Sequence, residues 1–305
     1  MTSKLTYYQG ALLGLACGDA VGATVEFCKR DRFEPLTDMI GGGKFRLKAG
    51  EWTDDTAMAL CLADSLLERG FDANDQMQKY WRWANGGYNS CRDYPFGMGK
   101  QVSKALIKYK KTGVVFAGET DSAHSGNGSL MRLAPVAIYF HSDLELCLKY
   151  AELSAKTTHG SEECVSACRF LSAMLYFSFK GFDKEEMLSK SLAEVTFPNS
   201  MHHITRMDFL NKAKDEIRGS GYVVDSLEAA LWVFYSTVSF ESAILAAANL
   251  GDDADTTAAI TGQLCGAYYG RETIPRTWLQ RLYRADDISE KAALLADKLS
   301  VASPI

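Results

Sequence analysis

Two stretches near opposite ends of the chain share one makeup. Residues 51–60 read EWTDDTAMAL and residues 249–262 read NLGDDADTTAAITG; each sets acids and threonines directly ahead of an apolar run. The first supplies Thr53, Asp54 and Asp55. The second supplies Asp253 and Asp255, spaced i, i+2, with Thr256 next, and Glu26 similarly follows the small-residue run QGALLGLACGDAVGA. Taken singly, an acid in a first helical turn is explained by the helix dipole, worth about 0.3–1 kcal/mol. Two such sets, each before a helix too apolar to lie on a surface, point instead to acids facing the interior or a cleft. If they converge, five carboxylates repel one another, and each must take up a proton or find a counter-ion. No lysine or arginine lies within either cluster. Hard divalent cations bind such an all-oxygen set of carboxylates, hydroxyls and water. Five negative charges suit two ions better than one, and the i, i+2 aspartates could bridge a pair about 3.5–4 Å apart.

Other chemistry is thinly represented. Eight cysteines without a C-x-x-C pair and only five histidines argue against a soft-metal site and fit buried thiols in a reducing compartment. A formal net charge of -5 with interspersed signs leaves no basic stripe for nucleic acid, and KALIKYKK reads as the solvated face of a helix. LLGLAC near the start resembles a lipoprotein cleavage site, but its apolar run is short, Lys4 is its single basic residue, and Gly14 replaces the expected aliphatic. No run approaches the roughly 20 apolar residues that span a bilayer. The expectation is a cytoplasmic protein.

The elements that must position these residues read as helix after helix. Gly10, Gly14, Gly18 and Gly22 recur every fourth residue, a face on which a neighbouring helix can approach closely. Thr53 is a natural N-cap and Gly70 a natural stop for the next helix, whose AMALCLA is apolar on every side. VVFAG is the best strand candidate. The irregular stretches IGGGKFRLKAGEW, NGGYNSCRDYPFGMGK and GETDSAHSGNGS have the glycine-rich polar character of binding loops. With no linker and no repeat, residues 1–305 read as one all-α domain.

At this point the chain resembles the ADP-ribosylglycohydrolase family. The resemblance rests on GALLGLACGDAVGATVEF, EWTDDTAMAL, GNGSLMRLAPVAI and NLGDDADTTAAITGQLCGAYYG in that order, with a closing IPRTW, and spans roughly residues 9 to 280. It implies a compact multi-helix fold around a central cleft that holds two magnesium or manganese ions. Thr53, Asp54 and Asp55 would lie on one side of the pair and Asp253, Asp255 and Thr256 on the other. Glu26 matches a glutamate beside the metals and is the favoured general base, with Asp55 the other catalytic carboxylate. HSGNGS matches the segment that wraps the diphosphate and nearby ribose, which assigns Ser125, Gly126, Asn127, Gly128 and Ser129 to substrate together with the retained Gly99. From its residues alone this loop is either an anion-binding nest or an ordinary turn. His159, in TTHG, corresponds to a histidine near the ribose; its alternative is a capping or core role. Trp52, Tyr88, Tyr94 and Phe96 either line the adenine or acceptor side or simply pack. One departure stands out: many members carry an aspartate where this chain has Gly97, and neighbouring Lys100 could contact phosphate or an acidic acceptor.

The activity implied is metal-dependent hydrolysis of ADP-ribosyl-arginine by a monomer acting on an ADP-ribosylated protein or an ADP-ribose-containing small molecule. The alternatives are a catalytically weak or inactive ADP-ribose binder, and a hydrolase of O-acetyl-ADP-ribose, serine-linked or poly-ADP-ribose.

Overall fold

The glycine spacing at positions 10, 14, 18 and 22 has a counterpart at the other end of the chain. In a computed structural model describing residues 4–298, the first helix, α1 (Leu5–Gly22), packs along α12 (Ala254–Tyr269). A Cβ built on Gly14 would lie 2.1 Å from the Gly262 carbonyl oxygen, and one on Gly262 would lie 2.0 Å from that of Gly14. Gly10 meets Gly266 and Gly22 meets Ala254 in the same way, so the two helices run antiparallel in backbone contact. Gly14→Ala is therefore expected to destabilise by about 3 kcal/mol or more, because rigid backbone and no flexible side chain must move. Gly86→Ala, where an added Cβ meets nothing within 4 Å, should be near neutral. Thermal melts of the two variants check this.

The remaining helices enclose that pair. They are α2 (Asp54–Arg69), α3 (Ala73–Gly86), α4 (Lys100–Thr112), α5 (Ala134–Tyr139), α6 (Leu144–Lys156), α7 (Glu162–Lys180), α8 (Lys184–Glu194), α9 (His202–Thr205), α10 (Val223–Ser236), α11 (Phe240–Ala248), α13 (Arg276–Arg281) and α14 (Ala285–Lys298). α2 is buried from Asp54 to Leu66 and stops at Gly70, whose φ of 67° suits glycine. All eight cysteines are free, and seven are buried. No described helix is long and apolar enough to cross a membrane.

Two local expectations are corrected. VVFAG forms no strand: it is an extended loop with Val114 and Phe116 exposed. Ala117 and Gly118 donate to the Thr157 and Lys156 carbonyls at the end of α6, and among the described residues no strand lies beside the loop to form a ladder. Thr53 precedes α2 with extended backbone, yet its hydroxyl does not cap the helix. Asp19 of α1 does so across the helix interface, accepting from the Thr53 and Thr56 N–H groups at 2.9 and 3.0 Å and from both hydroxyls at 2.9 and 2.7 Å. A carboxylate is the stronger acceptor, and it wins both threonines.

The antiparallel pairing brings the segment after α1 beside the start of α12. Phe27 N–H donates to the Asp252 carbonyl and Asp252 N–H to the Cys28 carbonyl, both at 2.7 Å. Phe27 and Asp252 both adopt left-handed backbone, with φ of 67° and 56°. This stitch holds Glu26 next to Asp253.

Candidate active site

Helix α1 thus fixes two of the acid-bearing segments at once. Its Asp19 grips the turn before α2, and its glycine face aligns the turn before α12. The two turns meet. Thr256 Oγ1 lies 3.4 Å from Asp55 Oδ2, and Thr53 Oγ1 lies 3.4 Å from Asp255 Oδ2 and 3.2 Å from Asp55 Oδ2. Carboxylate oxygens of Asp19, Asp55 and Asp255 fall within 4.8 Å of one another, as do those of Glu26, Asp253 and Asp255, so Asp255 belongs to both groups. Glu26, Asp54, Asp253, Asp255 and Thr256 line a cleft of about 800 Å³, and Asp19 and Asp55 lie buried behind them. That volume suits a ligand of dinucleotide or drug-like size, about 300–1,000 Å³.

Among the described residues, no lysine, arginine or histidine forms an ion pair with any of these six acids. Burial first, then the charges of Asp54, Asp253 and Asp19, push Glu26 up to about 8 against a lowering hydrogen bond with Asp255. Burial and the charge of Asp19 push Asp54 up to about 8. Asp55 and Asp255 stand well above the usual carboxylate range for the same reasons. Burial also raises Asp253, against hydrogen bonds from Asn127 and Asp255, and raises Asp19, against those from its two threonines.

The donor set fits a hard cation. Glu26 Oε2 and Asp55 Oδ1 are buried without a hydrogen-bond partner, which for a carboxylate is costly unless an ion takes the lone pair. Asp19 differs: each of its oxygens already accepts two hydrogen bonds, so it positions the turn. A pH dependence follows. These acids have native pKa values above their ordinary values of 3.8 and 4.5, so without a cation the folded state binds protons more tightly than the unfolded chain. Stability is then full below pH 4 and is lost as pH rises through about 8. Bound cations need deprotonated ligands and reverse the trend. Melting midpoints measured from about pH 5 to about pH 8 should fall in chelator and hold or rise with a divalent cation, the slopes crossing in sign.

The loop before α5 closes the cleft on the other side. Asn127 Nδ2 donates to Asp253 Oδ2 at 2.6 Å and to Ser226 Oγ at 2.8 Å. Its N–H pairs with the Gly221 carbonyl, and the Val223 N–H with that of Ser125. The Gly128 and Ser129 N–H groups donate to no described protein acceptor, and of the two Gly128 borders the cleft. The serine hydroxyls face elsewhere: Ser125 Oγ bonds Ser161 Oγ and Glu163, and buried Ser129 Oγ receives the Cys168 thiol. Gly126, Gly128, Gly99, Lys100 and buried His159 line the cleft. Thr53 is buried behind the acids.

The aromatic expectations divide. Trp52 is wholly buried, its indole N–H on the Tyr283 carbonyl, and Tyr88 donates to Asp64 beneath the Arg82 guanidinium. Tyr94 and Phe96 continue a row with Phe45 and Phe27, whose ring is more than half exposed and lines the cleft. Gly97 is pressed against the acids: with φ at 83°, a Cβ there would lie 2.2 Å from Asp54 Oδ1. Gly97→Asp, which supplies the carboxylate found in the resembling family, should therefore cost about 1–3 kcal/mol of stability and lower divalent-cation affinity, read by melting and calorimetry.

Asp19 and Arg132 were not singled out in the sequence. An acid inside an apolar glycine-spaced helix, and an arginine inside LMRLAPVAI, are the signals that mark them.

Known proteins resemble the chain along nearly its whole length. The family model described as ADP-ribosylglycohydrolase matches residues 2–304. The chain is 44% identical over 291 residues to the ADP-ribosylarginine hydrolase Tri1 of Pseudomonas putida (strain GB-1), covering 95% of this chain and 78% of that protein. It is 32% identical to the ADP-ribosyl-[dinitrogen reductase] glycohydrolase of Rhodospirillum rubrum, covering 90% and 89%. A solved structure described as an ADP-ribosylglycohydrolase-related protein complex superposes with a TM-score of 0.87 at 39% identity, covering 97% of this chain and 99% of that one.

Proposed function

The chain belongs to the ADP-ribosylglycohydrolase family, and from that premise we propose that it is a metal-dependent hydrolase releasing ADP-ribose from modified arginine side chains of a protein. The observation that carries this reading is the meeting of the two acid turns, Thr256 on Asp55 and Thr53 on Asp255, directly behind the acids that line the cleft. Asp54, Asp55, Asp253, Asp255 and Glu26, with Thr53 and Thr256, are the residues that would hold two divalent cations, magnesium or manganese. When bound, such ions offset the acid cluster's charge and supply Lewis acidity at a sugar.

The chain's own groups do the rest. The free amide at Gly128, which borders the cleft, donates to the diphosphate, and the Asn127 carboxamide holds Asp253. Glu26 lines the cleft, whereas Asp55 is almost fully covered, so Glu26 is the general base that meets water from the open side. It takes one proton as the water oxygen bonds to the anomeric carbon. The C–N bond breaks with its electron pair going to the guanidine nitrogen, and the neutral guanidine then takes up the proton held by Glu26, restoring the unmodified arginine side chain. Surrounding carboxylates favour the positive charge that builds on the ribose at the transition state.

The assay is release of ADP-ribose from an ADP-ribosyl-arginine protein with magnesium, manganese or chelator, beside serine-linked and O-acetyl substrates. Cation-dependent release from arginine is the expected result. Tight ADP-ribose binding without release from any substrate would favour a binder and overturn the hydrolase reading.

A further inference from the structure

Arg132 is a buried cation without an anion. It is 1% exposed, and among the described residues no carboxylate pairs with it. Nη1 donates to the Gly128 carbonyl at 2.6 Å, Nη2 donates to Thr158 Oγ1 at 2.8 Å and Thr157 Oγ1 at 3.3 Å, and Nε has no partner among the described residues. Its plane rests on the Tyr80 ring, 4.7 Å from the centroid. A buried guanidinium held this way fixes something, and the hydrogen bonds say what.

Arginine can only donate, so its bond to Thr158 occupies a lone pair of that hydroxyl. The hydroxyl hydrogen must then go elsewhere. For Thr157 it goes to the Ser154 carbonyl at 2.7 Å. For Thr158, which is 1% exposed, the one acceptor within reach among the described residues is His159 Nδ1 at 2.8 Å. Nδ1 therefore accepts and carries no hydrogen, and a neutral imidazole in that state carries its hydrogen on Nε2. The Nε2 edge lies against the glycine turn: a Cβ on Gly128 would stand 3.2 Å from Nε2 and 2.8 Å from Cε1, and one on Gly126 3.4 Å from Nε2. Gly126, Gly128 and His159 all border the cleft.

We infer that Arg132, acting through Thr158, is a positioning residue that locks His159 in its Nε2–H tautomer. His159 then serves the cleft as a fixed hydrogen-bond donor to a ligand oxygen, and neither as base nor as cation. Burial, aided by the nearby Arg132 charge, lowers His159 to about 3, which keeps the ring neutral. The tautomer assignment stands on hydrogen-bond direction alone; the identity of the accepting oxygen rests on the ADP-ribose reading above.

The test is imidazole nitrogen spectroscopy on the full chain labelled at histidine, free of ligand, with His159 signals assigned by their loss in His159→Gln. The expected spectrum shows a pyridine-like Nδ1 and a pyrrole-like Nε2, unchanged across about pH 5 to 8, where an ordinary histidine changes charge. Thr158→Ser keeps this pattern. Thr158→Val removes the donor to Nδ1, lets the other tautomer appear, and weakens ADP-ribose binding by about 2- to 10-fold in calorimetry, the worth of one hydrogen bond. A protonated Nδ1 in the unaltered protein, or a Thr158→Val spectrum identical to it, overturns the inference. Failure of the unaltered protein to bind ADP-ribose would strike the functional reading and leave the wild-type spectrum to decide the tautomer.

Discussion

Asp55→Ala and Asp253→Ala should each reduce hydrolysis by at least about 10²–10³-fold, as much as losing one preorganised electrostatic group, because each would hold the divalent cations. A second effect of opposite sign should accompany it. Asp55 is raised by burial and then by the charges of Asp19, Asp54, Asp253 and Glu26, so deleting it relieves repulsion in the cation-free protein. Asp253 is the weaker case, because its loss also strands the Asn127 carboxamide now 2.6 Å from it. In chelator near neutral pH, Asp55→Ala should melt higher than the unaltered chain, while with divalent cation it should melt lower. Catalytic acids held together against their own repulsion show this exchange of stability for function. An Asp55→Ala protein that keeps its activity, or that melts lower in chelator, would contradict the role given to the residue.

Asp19→Ala should do the most damage to the fold among the acids, although it is no nearer the substrate than the others. The aspartate accepts four hydrogen bonds, two from backbone N–H groups and two from hydroxyls, all buried. Each stranded donor costs about 1–3 kcal/mol, reduced where the site relaxes or admits water. A net loss of about 3–5 kcal/mol is expected, as for breaking a buried charged network. For a domain of this size that corresponds to a melting midpoint lower by roughly 6–15 °C. Because Asp19 sets Thr53 and Thr56 in place, cation affinity should fall with it. Asp19→Asn tests the distinction between charge and shape: its amide offers acceptors on one side only, so two of the four donors remain unmet and most of the loss should persist. Calorimetric melting and manganese titration on both variants measure the two effects together.

These results turn on features that were unevenly legible in the sequence. The glycine spacing from Gly10 to Gly22 announced a close helix contact, and α12 answers it with Gly262 and Gly266 at the matching positions. That pairing accounts for the meeting of the two acid turns, which spacing alone could only assume. The apolar run of α2 was readable because a helix buried on every side leaves no polar face to mistake. What was not legible depended on partners distant in sequence. Thr53 looked like a cap because local rules see only the following residues, whereas its hydroxyl is taken by Asp19, 34 residues earlier. VVFAG looked like a strand because its β-branched residues favour one, but a strand needs a neighbour. The role of HSGNGS was half visible: the Gly128 and Ser129 amides are left open, while the hydroxyls of Ser125 and Ser129 turn to α7. For Arg132 the apolar setting LMRLAPVAI signalled burial, but nothing local named its partners, which are a carbonyl, two hydroxyls and a ring.

The claim on which all of this depends is that the turns before α2 and α12 together hold a hard cation pair. Anomalous scattering from manganese-soaked crystals tests it most directly. Two manganese peaks are predicted between Asp55 and Asp253, with Asp255 and Glu26 oxygens in their coordination shells. A cleft floor without anomalous signal at millimolar manganese, or peaks bound only at surface acids, would contradict it.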